Sequence, residues 1–259
     1  MRIRYPRKRS TIHNGSMTLN LAEPSTLTRS AAQNKSALKK VFQTIHGNSC
    51  PLTYNFHLHS TFSDGQLKPE EIMTQAVNIG LQGLAITDHH SIGGYQVAQQ
   101  WLDRWLCQNH LSDRDEANPA LKPHLWTGVE ITSDLIGTEV HILGYAFNPA
   151  HPSMSPYLQQ QAPKGRDYQA SQVIAAIQAA GGLAVLAHPV RYRRSPVDLI
   201  RAAANLGIDG VETYYAYGNP NPWQPSPAQT QQVKELAAEY HLLTTCGTDT
   251  HGNNLLLRL

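Results

Sequence analysis

The sequence contains no run of about 18 apolar residues, and its three cysteines show no C-x-x-C spacing. The first absence excludes a membrane-spanning helix, which needs about 20 apolar residues in succession. The second argues against a disulfide framework and fits a reducing compartment, so we expect a cytoplasmic protein. Apolar residues make up 41% of the chain and charged residues 15%, which is ordinary for a soluble globular protein.

The chain has little net charge, since its formal value is +2, but the charges are unevenly distributed. Residues 1–50 hold nine Lys or Arg residues and one acid, Glu23, whereas the remainder holds twelve basic and eighteen acidic residues. A mildly acidic body lacks the broad basic surface that binds duplex nucleic acid. Some of its acids are instead candidate metal ligands, and no feature of the sequence indicates an obligate protein partner.

The uneven composition predicts two parts, a basic and flexible leader over residues 1–50 and one folded domain over 51–259. Two other interpretations of the leader stay open: it binds an acidic partner, or it belongs to an Arg- and Ser-rich targeting segment. Met17 also offers another start, and residues 36–47 have the pattern of one short helix.

Short apolar strands alternate with helical stretches from residue 53 onward, which predicts an α/β domain of about seven strands. Pro69 and Gly80 mark the start and the end of the first helix after the strand "TYNFHLH". We expect "LWTGVEIT" to form one strand that pairs with "EVHILGYAF".

The first strand leads into "NFHLHSTFSDG", residues 55–65, which carries two histidines one residue apart. Alternate side chains of a strand share a face, so His57 and His59 point the same way, and Asp64 follows in a Ser-Asp-Gly turn. Such a pair alone is a weak signal, because H-x-H also occurs on exposed strands. Further residues of metal-binding type are predicted at the ends of later strands, or within one in the case of His141: His89, Glu130, His141, His188, Asp249 and His251.

Side chains at the carboxyl ends of parallel strands converge on one face of a barrel, where active sites are built. Six histidines, two aspartates and one glutamate in this pattern therefore predict a metal centre. Mixed imidazole and carboxylate ligands favour Mn²⁺, Zn²⁺ or Fe²⁺ over Mg²⁺ or Ca²⁺.

Six motifs together resemble the PHP domain, the polymerase and histidinol phosphatase superfamily of metal-dependent phosphoesterases: "HLHSTFSDG", "AITDHH", "GVEI", "VHILGY", "LAHPVRY" and "GTDTHG". The resemblance runs from about Asn55 to His251. It implies a distorted (β/α)7 barrel with the metal site at the carboxyl ends of the strands. "HPVRY" and "HILGYAF" most resemble the branch that hydrolyses nucleoside 3′,5′-bisphosphates and trims RNA from its 5′ end.

The resemblance also implies two or three divalent ions, with Glu130 as the bridge between the first two. The first ion would also be held by His57, His59 and Asp249, and the second by His141 and His188. The third ion would be held by Asp64, His89 and His251.

The expected reaction is hydrolysis of a phosphate ester by a hydroxide between two ions. Arg191 is the candidate cation for charge on the phosphoryl oxygens, because a guanidinium group binds phosphate through two donors at once. His90 either protonates the leaving group or hydrogen-bonds a ligand. We expect Asp88 to support the site rather than to bind metal.

The expected substrate is a small phosphorylated molecule, either a nucleotide or a short 5′-phosphorylated RNA. Histidinol-phosphate phosphatase is the alternative within enzymes, and a non-catalytic PHP interaction module is the alternative outside them. The nine filled ligand positions favour an enzyme. Only 46 residues separate His141 from His188, so the helical subdomain that nucleotide-hydrolysing relatives commonly insert there is reduced. The aromatic residues within 212–227 either stack a base at the rim or pack their loop.

Overall fold

The computed structural model describes residues 31–109 and 122–259, so the first thirty residues of the predicted leader lie outside the described part. Helices and strands alternate along most of this part, which confirms the predicted α/β class. The α-helices are α1 (Lys35–Phe42), α2 (Pro69–Ile79), α3 (Gly93–Gln108), α4 (Ala170–Ala179), α5 (Pro196–Asn205) and α6 (Pro227–Glu239). The strands are β1 (Tyr54–Asn55), β2 (Gly83–Ala85), β3 (His124–Trp126), β4 (Gly128–Leu135), β5 (Thr138–Tyr145), β6 (Leu183–Leu186), β7 (Gly210–Tyr214) and β8 (Leu243–Cys246).

The described strands form two sheets. The first contains β1, β2 and β3 in that order, all parallel. The second has the order β4-β5-β6-β7-β8, in which β5 runs antiparallel to both of its neighbours and the last three strands are parallel. The predicted pairing of the "GVEIT" and "EVHILGY" segments is therefore present as an antiparallel ladder.

Isolated bridges connect the chain beyond β1 and β2 to the two edge segments of the second sheet: Leu58 pairs with Thr250 after β8, and His89 pairs with Glu130 of β4. The expected barrel is thus not a single closed sheet among the described residues. The reason is local: β1 and β2 are only two and three residues long, and the chain leaves the regular ladder soon after each of them.

The predicted strand "LWTGVEIT" is divided at Thr127 into β3 and β4, which belong to different sheets. The backbone amide of Thr127 donates a hydrogen bond to the carbonyl of Ala32 instead of continuing a ladder. Gly128 comes next, at a point where two backbone segments lie close together. A Cβ atom on this residue would lie 2.4 Å from the carbonyl oxygen of Ile86. Only glycine fits at this crossing between the sheets.

Helix α1 packs against the core. Leu38 and Phe42 are buried, and the ring of Phe42 meets the rings of Phe56 and Tyr145 edge-on at centroid distances of 5.0 and 5.6 Å. Cys50 belongs to the same buried cluster. A domain boundary after residue 50 would cut through this cluster, so the segment from Lys35 onward belongs with the folded body.

The remaining helices cover the sheets. Helices α4, α5 and α6 contribute to one apolar cluster with β4, β5 and β6, and α2 and α3 form another with β2. Helix α2 starts and ends where its sequence predicts: Pro69 is its first residue, and Gly80 ends it with φ of 81°. Across the described ranges, no helix combines the length and the apolar character needed to cross a membrane.

Candidate metal centre

All nine predicted ligands lie in one cluster. The chain just after β1, β2, β6 and β8 supplies seven of them, and the antiparallel pair β4 and β5 supplies Glu130 and His141. The expectation that Glu130 ends its strand is wrong: it is the third residue of β4, which continues to Leu135. His89, His188 and Asp249 lie beyond the last residues of their strands, because each regular ladder ends before the chain reaches them.

The first ligand group is fully buried and contains His57, His59, Glu130 and Asp249. The Nε2 atoms of His57 and His59 each lie 3.0 Å from Glu130 Oε2. Asp249 Oδ1 lies 3.4 Å from the first of these nitrogens and 3.2 Å from the second. Two imidazole nitrogens and two carboxylate oxygens thus face a common point, as ligands of one transition-metal ion do.

His59 provides a test of this fit. Its Nε2 atom is buried and makes no hydrogen bond of acceptable geometry, although oxygens of Glu130 and Asp249 lie nearby. A buried polar atom without a hydrogen bond is costly unless another partner replaces it. A shared cation satisfies the nitrogen and both oxygens together, so the donor set fits a metal ion.

The second group surrounds the other oxygen of Glu130. His141 Nδ1 lies 2.8 Å from Glu130 Oε1, and His188 Nε2 lies 3.3 Å from it. His89 lies beside this group, since ligand atoms of His89, Glu130 and His141 lie within 4.8 Å of one another, but its Nε2 atom is 3.7 Å from Oε2 of Glu130. The carboxylate of Glu130 therefore points one oxygen into each of two neighbouring groups, which is the geometry of a bridging ligand.

The third group lies at the mouth and consists of His59, Asp64, His89 and His251. Asp64 is 53% exposed, and its Oδ2 atom lies 3.2 Å from His251 Nε2 and 3.8 Å from His89 Nε2. The turn that carries Asp64 folds tightly back, because a Cβ atom on Gly65 would lie 2.3 Å from the carbonyl oxygen of His59. This glycine lets the aspartate reach the histidine that precedes it by five residues.

Charge dominates the inner part of the cluster. Burial alone would lower the pKa of His57, but Glu130, Glu212 and Asp249 raise it to about 10. Burial would raise the pKa of Glu130 and of Asp249, yet the nearby histidines hold both well below their usual values. Burial lowers the pKa of His89 to about 4. The carboxylates thus attract positive charge, and a cation bound here would take the place of the proton on His57.

Glu212 is a buried residue of the site that the sequence interpretation missed. Its Oε1 atom lies 3.0 Å from Nδ1 of His57, and its Oε2 atom accepts a hydrogen bond of 2.9 Å from the backbone amide of His188. It therefore turns Nε2 of His57 toward the ligand group and holds two ligand-bearing segments together. The available signal was an acid in the middle of β7, where every residue is buried.

Asp88 and His90 lie behind the ligands. Asp88 accepts hydrogen bonds from the backbone amide and hydroxyl of Ser60 and from the hydroxyl of Ser63, so it supports the turn between His59 and Asp64. His90 is buried, and its Nε2 atom lies 3.1 Å from Oγ1 of Thr132.

Two arginines converge on the outer oxygen of Asp249. Arg191 Nη1 donates to Oδ2 at 2.9 Å, and Arg258 Nε donates to the same atom at 2.8 Å. The hydroxyl of Tyr215 is a third donor at 2.6 Å. The sequence interpretation chose Arg191 but missed Arg258, which lies in "NNLLLRL", a segment without any recognisable motif.

The aromatic residues of the 212–227 segment mainly pack the interior. Tyr214 and Trp223 belong to the buried cluster around Phe56, and Tyr215 is buried beside Asp249. Of the two alternatives for this segment, the structure thus favours loop packing over base stacking at the rim for these three rings.

Residues 55–246 match the PHP domain family. The protein named 5′-3′ exoribonuclease Rnm from Salmonella typhimurium is 26% identical over 269 residues, which cover 76% of this chain and 85% of that protein. The 3′,5′-nucleoside bisphosphate phosphatase of Chromobacterium violaceum is 32% identical over 127 residues, or 49% of this chain and 39% of that one.

Among solved structures, an amidohydrolase from Chromobacterium violaceum with bound sulfate and no metal has the same fold. The TM-score is 0.61 at 19% sequence identity, and the match covers 80% of this chain and 90% of that one. The domain match spans most of the chain and takes in seven of the nine clustered ligands. The chain therefore belongs to the PHP family and is a metal-dependent phosphoesterase.

Proposed function

We propose that the chain hydrolyses phosphate esters of nucleotides, such as nucleoside 3′,5′-bisphosphates, or of short 5′-phosphorylated RNA. The names of two relatives support this substrate class, since one is a 5′-3′ exoribonuclease and the other a 3′,5′-nucleoside bisphosphate phosphatase. The described segment between β5 and α4 contains two short 3₁₀ helices rather than a large cap, so it does not itself distinguish a nucleotide from the end of an RNA.

The observation that carries the proposal is that the two carboxylate oxygens of Glu130 contact two different groups of histidines. One oxygen lies 3.0 Å from both His57 and His59, and the other lies 2.8 Å from His141. We assign one ion to each side of this carboxylate and a third to the group at the mouth. When bound, such ions supply a nucleophile from water at neutral pH and stabilise charge on the phosphoryl oxygens.

Arg191 and His90 have different proposed roles. The side chain of Arg191 is 40% exposed beside the cluster, so its guanidinium group can bind an oxygen of the phosphoryl group. His90 is buried against Thr132 of β4, and its backbone amide donates to the carbonyl of Glu130. We assign His90 to support of the ligand groups, because its ring is bonded to Thr132 inside the protein and not at the mouth.

A substrate screen tests the proposal. Purified protein loaded with Mn²⁺ should hydrolyse a nucleoside 3′,5′-bisphosphate or a 5′-phosphorylated oligoribonucleotide with a higher kcat/KM than histidinol phosphate. Protein treated with a chelator should lose this activity and regain it when Mn²⁺ or Zn²⁺ is restored. Strong hydrolysis of histidinol phosphate with no activity on either nucleotide substrate would assign the chain to the alternative. No hydrolysis of any phosphate ester would refute the proposal.

A further inference from the structure

Arg258 and Arg191 approach Asp249 from its outer side. Asp249 directs Oδ1 toward His57 and His59, whereas its Oδ2 atom receives both guanidinium groups. One oxygen of the Asp249 carboxylate therefore contacts two positive charges, and the other oxygen points toward the ligand group. The pair leaves an excess of one positive charge beside the metal centre.

The two arginines have more N–H donors than the carboxylate of Asp249 can accept. A guanidinium group has five N–H donors, but Arg191 uses Nη1 alone for its contacts with Asp249 and Tyr215. Within the described ranges, the only carboxylate in a salt bridge with either arginine is that of Asp249. Donors that remain on a fixed guanidinium group are suited to oxygens of a phosphate.

The chain holds Arg258 firmly in this place. Its backbone carbonyl accepts hydrogen bonds from the amides of His251, at 2.7 Å, and Gly252, at 3.3 Å. A Cβ atom on Gly252 would lie 2.8 Å from the carbonyl carbon of Leu259, so the turn after His251 is tight. The side chain of Arg258 is 17% exposed and that of Arg191 is 40% exposed. Arg258 thus forms the floor and Arg191 the open side of one small basic surface.

We propose that Arg258 and Arg191 form a phosphate-binding subsite beside the metal centre, with Asp249 as the anchor that orients both guanidinium groups. The inference rests on the proposed function, because it names the residues that recognise a phosphate of the substrate. The phosphate is either the group that reacts or a second phosphate of the same molecule. Both have the same chemistry, and the choice of substrate separates them.

The experiment uses the full chain loaded with Mn²⁺ and compares Arg258→Ala, Arg258→Lys and, as control, Arg201→Ala. Arg201 is a matched control because it forms an exposed Arg–Asp pair with Asp198 on α5. Binding of inorganic phosphate is measured by calorimetry, and metal content by elemental analysis. Arg258→Ala should weaken phosphate binding by about tenfold or more with unchanged metal content. Arg258→Lys should recover little of the loss, because one ammonium group cannot reproduce a planar pair of donors.

Kinetics then separate the two phosphates. A loss in kcat/KM that is larger for a nucleoside 3′,5′-bisphosphate than for an aryl phosphate would place the subsite at the second phosphate. Equal losses on both, together with weaker phosphate binding, would place it at the reacting phosphate. Phosphate affinity within about twofold of wild type in Arg258→Ala would overturn the inference. A loss that merely follows loss of metal would overturn it as well, since Arg258 would then act only through Asp249.

Two outcomes keep this inference distinct from the proposed function. If wild type hydrolyses nucleotides and Arg258→Ala binds phosphate normally, the subsite alone is refuted. If wild type binds phosphate through Arg258 but hydrolyses no phosphate ester, the proposed function is refuted and the subsite stands. Should Arg258→Ala fail to fold, Arg258→Lys decides, because it keeps the charge and the aliphatic stem: phosphate binding equal to wild type would refute a two-donor contact.

Discussion

Glu212 holds His57 from behind: its Oε1 atom lies 3.0 Å from Nδ1 of the imidazole, and both side chains are completely buried. This contact leaves Nε2 of His57 to face Glu130 and Asp249. A histidine ligand oriented in this way binds metal more tightly, because its ring does not need to be ordered when the ion arrives.

Glu212→Ala should therefore weaken metal binding by about 10- to 100-fold. It also leaves the backbone amide of His188 without its acceptor, so the loop that carries a second ligand should loosen. The affinity is measured by competition with a chelator. Glu139→Ala is the control, since Glu139 accepts a hydrogen bond from Tyr168 on the surface. Equal affinities for Glu212→Ala and wild type would contradict the assigned role.

Metal uptake should strengthen as the pH rises. Burial alone would lower the pKa of His57, but Glu130, Glu212 and Asp249 raise it to about 10, so this imidazole carries a proton at pH 7 in the metal-free protein. A cation must displace that proton. Burial would likewise lower the pKa of His59, but the carboxylates around that imidazole raise it, so the apparent affinity should rise by at least about tenfold for each pH unit between about 6.5 and 8.5. An affinity that is constant over this range would show that His57 carries no proton to displace.

Phe42→Ala should destabilise the protein by about 3–5 kcal/mol, because the ring is buried against Phe56 and Tyr145 and its removal leaves a cavity. The free energy of unfolding is measured with urea. Lys40→Ala in the same helix is the control, since Lys40 is exposed. A loss below about 1 kcal/mol for Phe42→Ala would contradict the packing of α1 and restore a boundary near residue 50.

Arg191→Ala should lower kcat/KM by about 30- to 1000-fold, or about 2–4 kcal/mol, without changing metal content. Metal is retained because Asp249 keeps Arg258 and Tyr215 as hydrogen-bond donors. The control is Arg194→Ala, which removes an exposed side chain that bonds Thr138. Kinetics on a nucleoside 3′,5′-bisphosphate measure the loss. A loss below threefold would mean that Arg191 only pairs with Asp249.

The sequence predicted the ligand cluster better than the sheet that carries it. His57 and His59 were recognisable from spacing within one short stretch, and the placement of metal-binding residue types on later strands extended the set to all nine residues. The sequence predicted a closed barrel and gave no sign that the described strands form two sheets instead. The length of a ladder depends on partner strands elsewhere in the chain, which local sequence does not reveal. Thr127 shows the same limit, since its bonds to Ala32, distant in sequence, divide one predicted strand between two sheets.

Glu212 and Arg258 could not be predicted for a related reason. Glu212 meets a histidine 155 positions away, and no local pattern distinguishes it from an isolated acid in a strand. Arg258 shares its acceptor with Arg191, 67 positions earlier in the chain. Such contacts are set by which loops the fold brings together, whereas a motif reports only neighbours in sequence.

Elemental analysis of wild type and Glu130→Gln tests the central claim most directly, because the carboxylate of Glu130 faces both inner ligand groups. Wild type should contain two or three transition-metal ions per chain. Glu130→Gln should lose at least one ion and about 100-fold or more in kcat, whereas His90→Ala should retain its metal. Fewer than one ion per chain in wild type, with no uptake from added Mn²⁺ or Zn²⁺, would contradict the account.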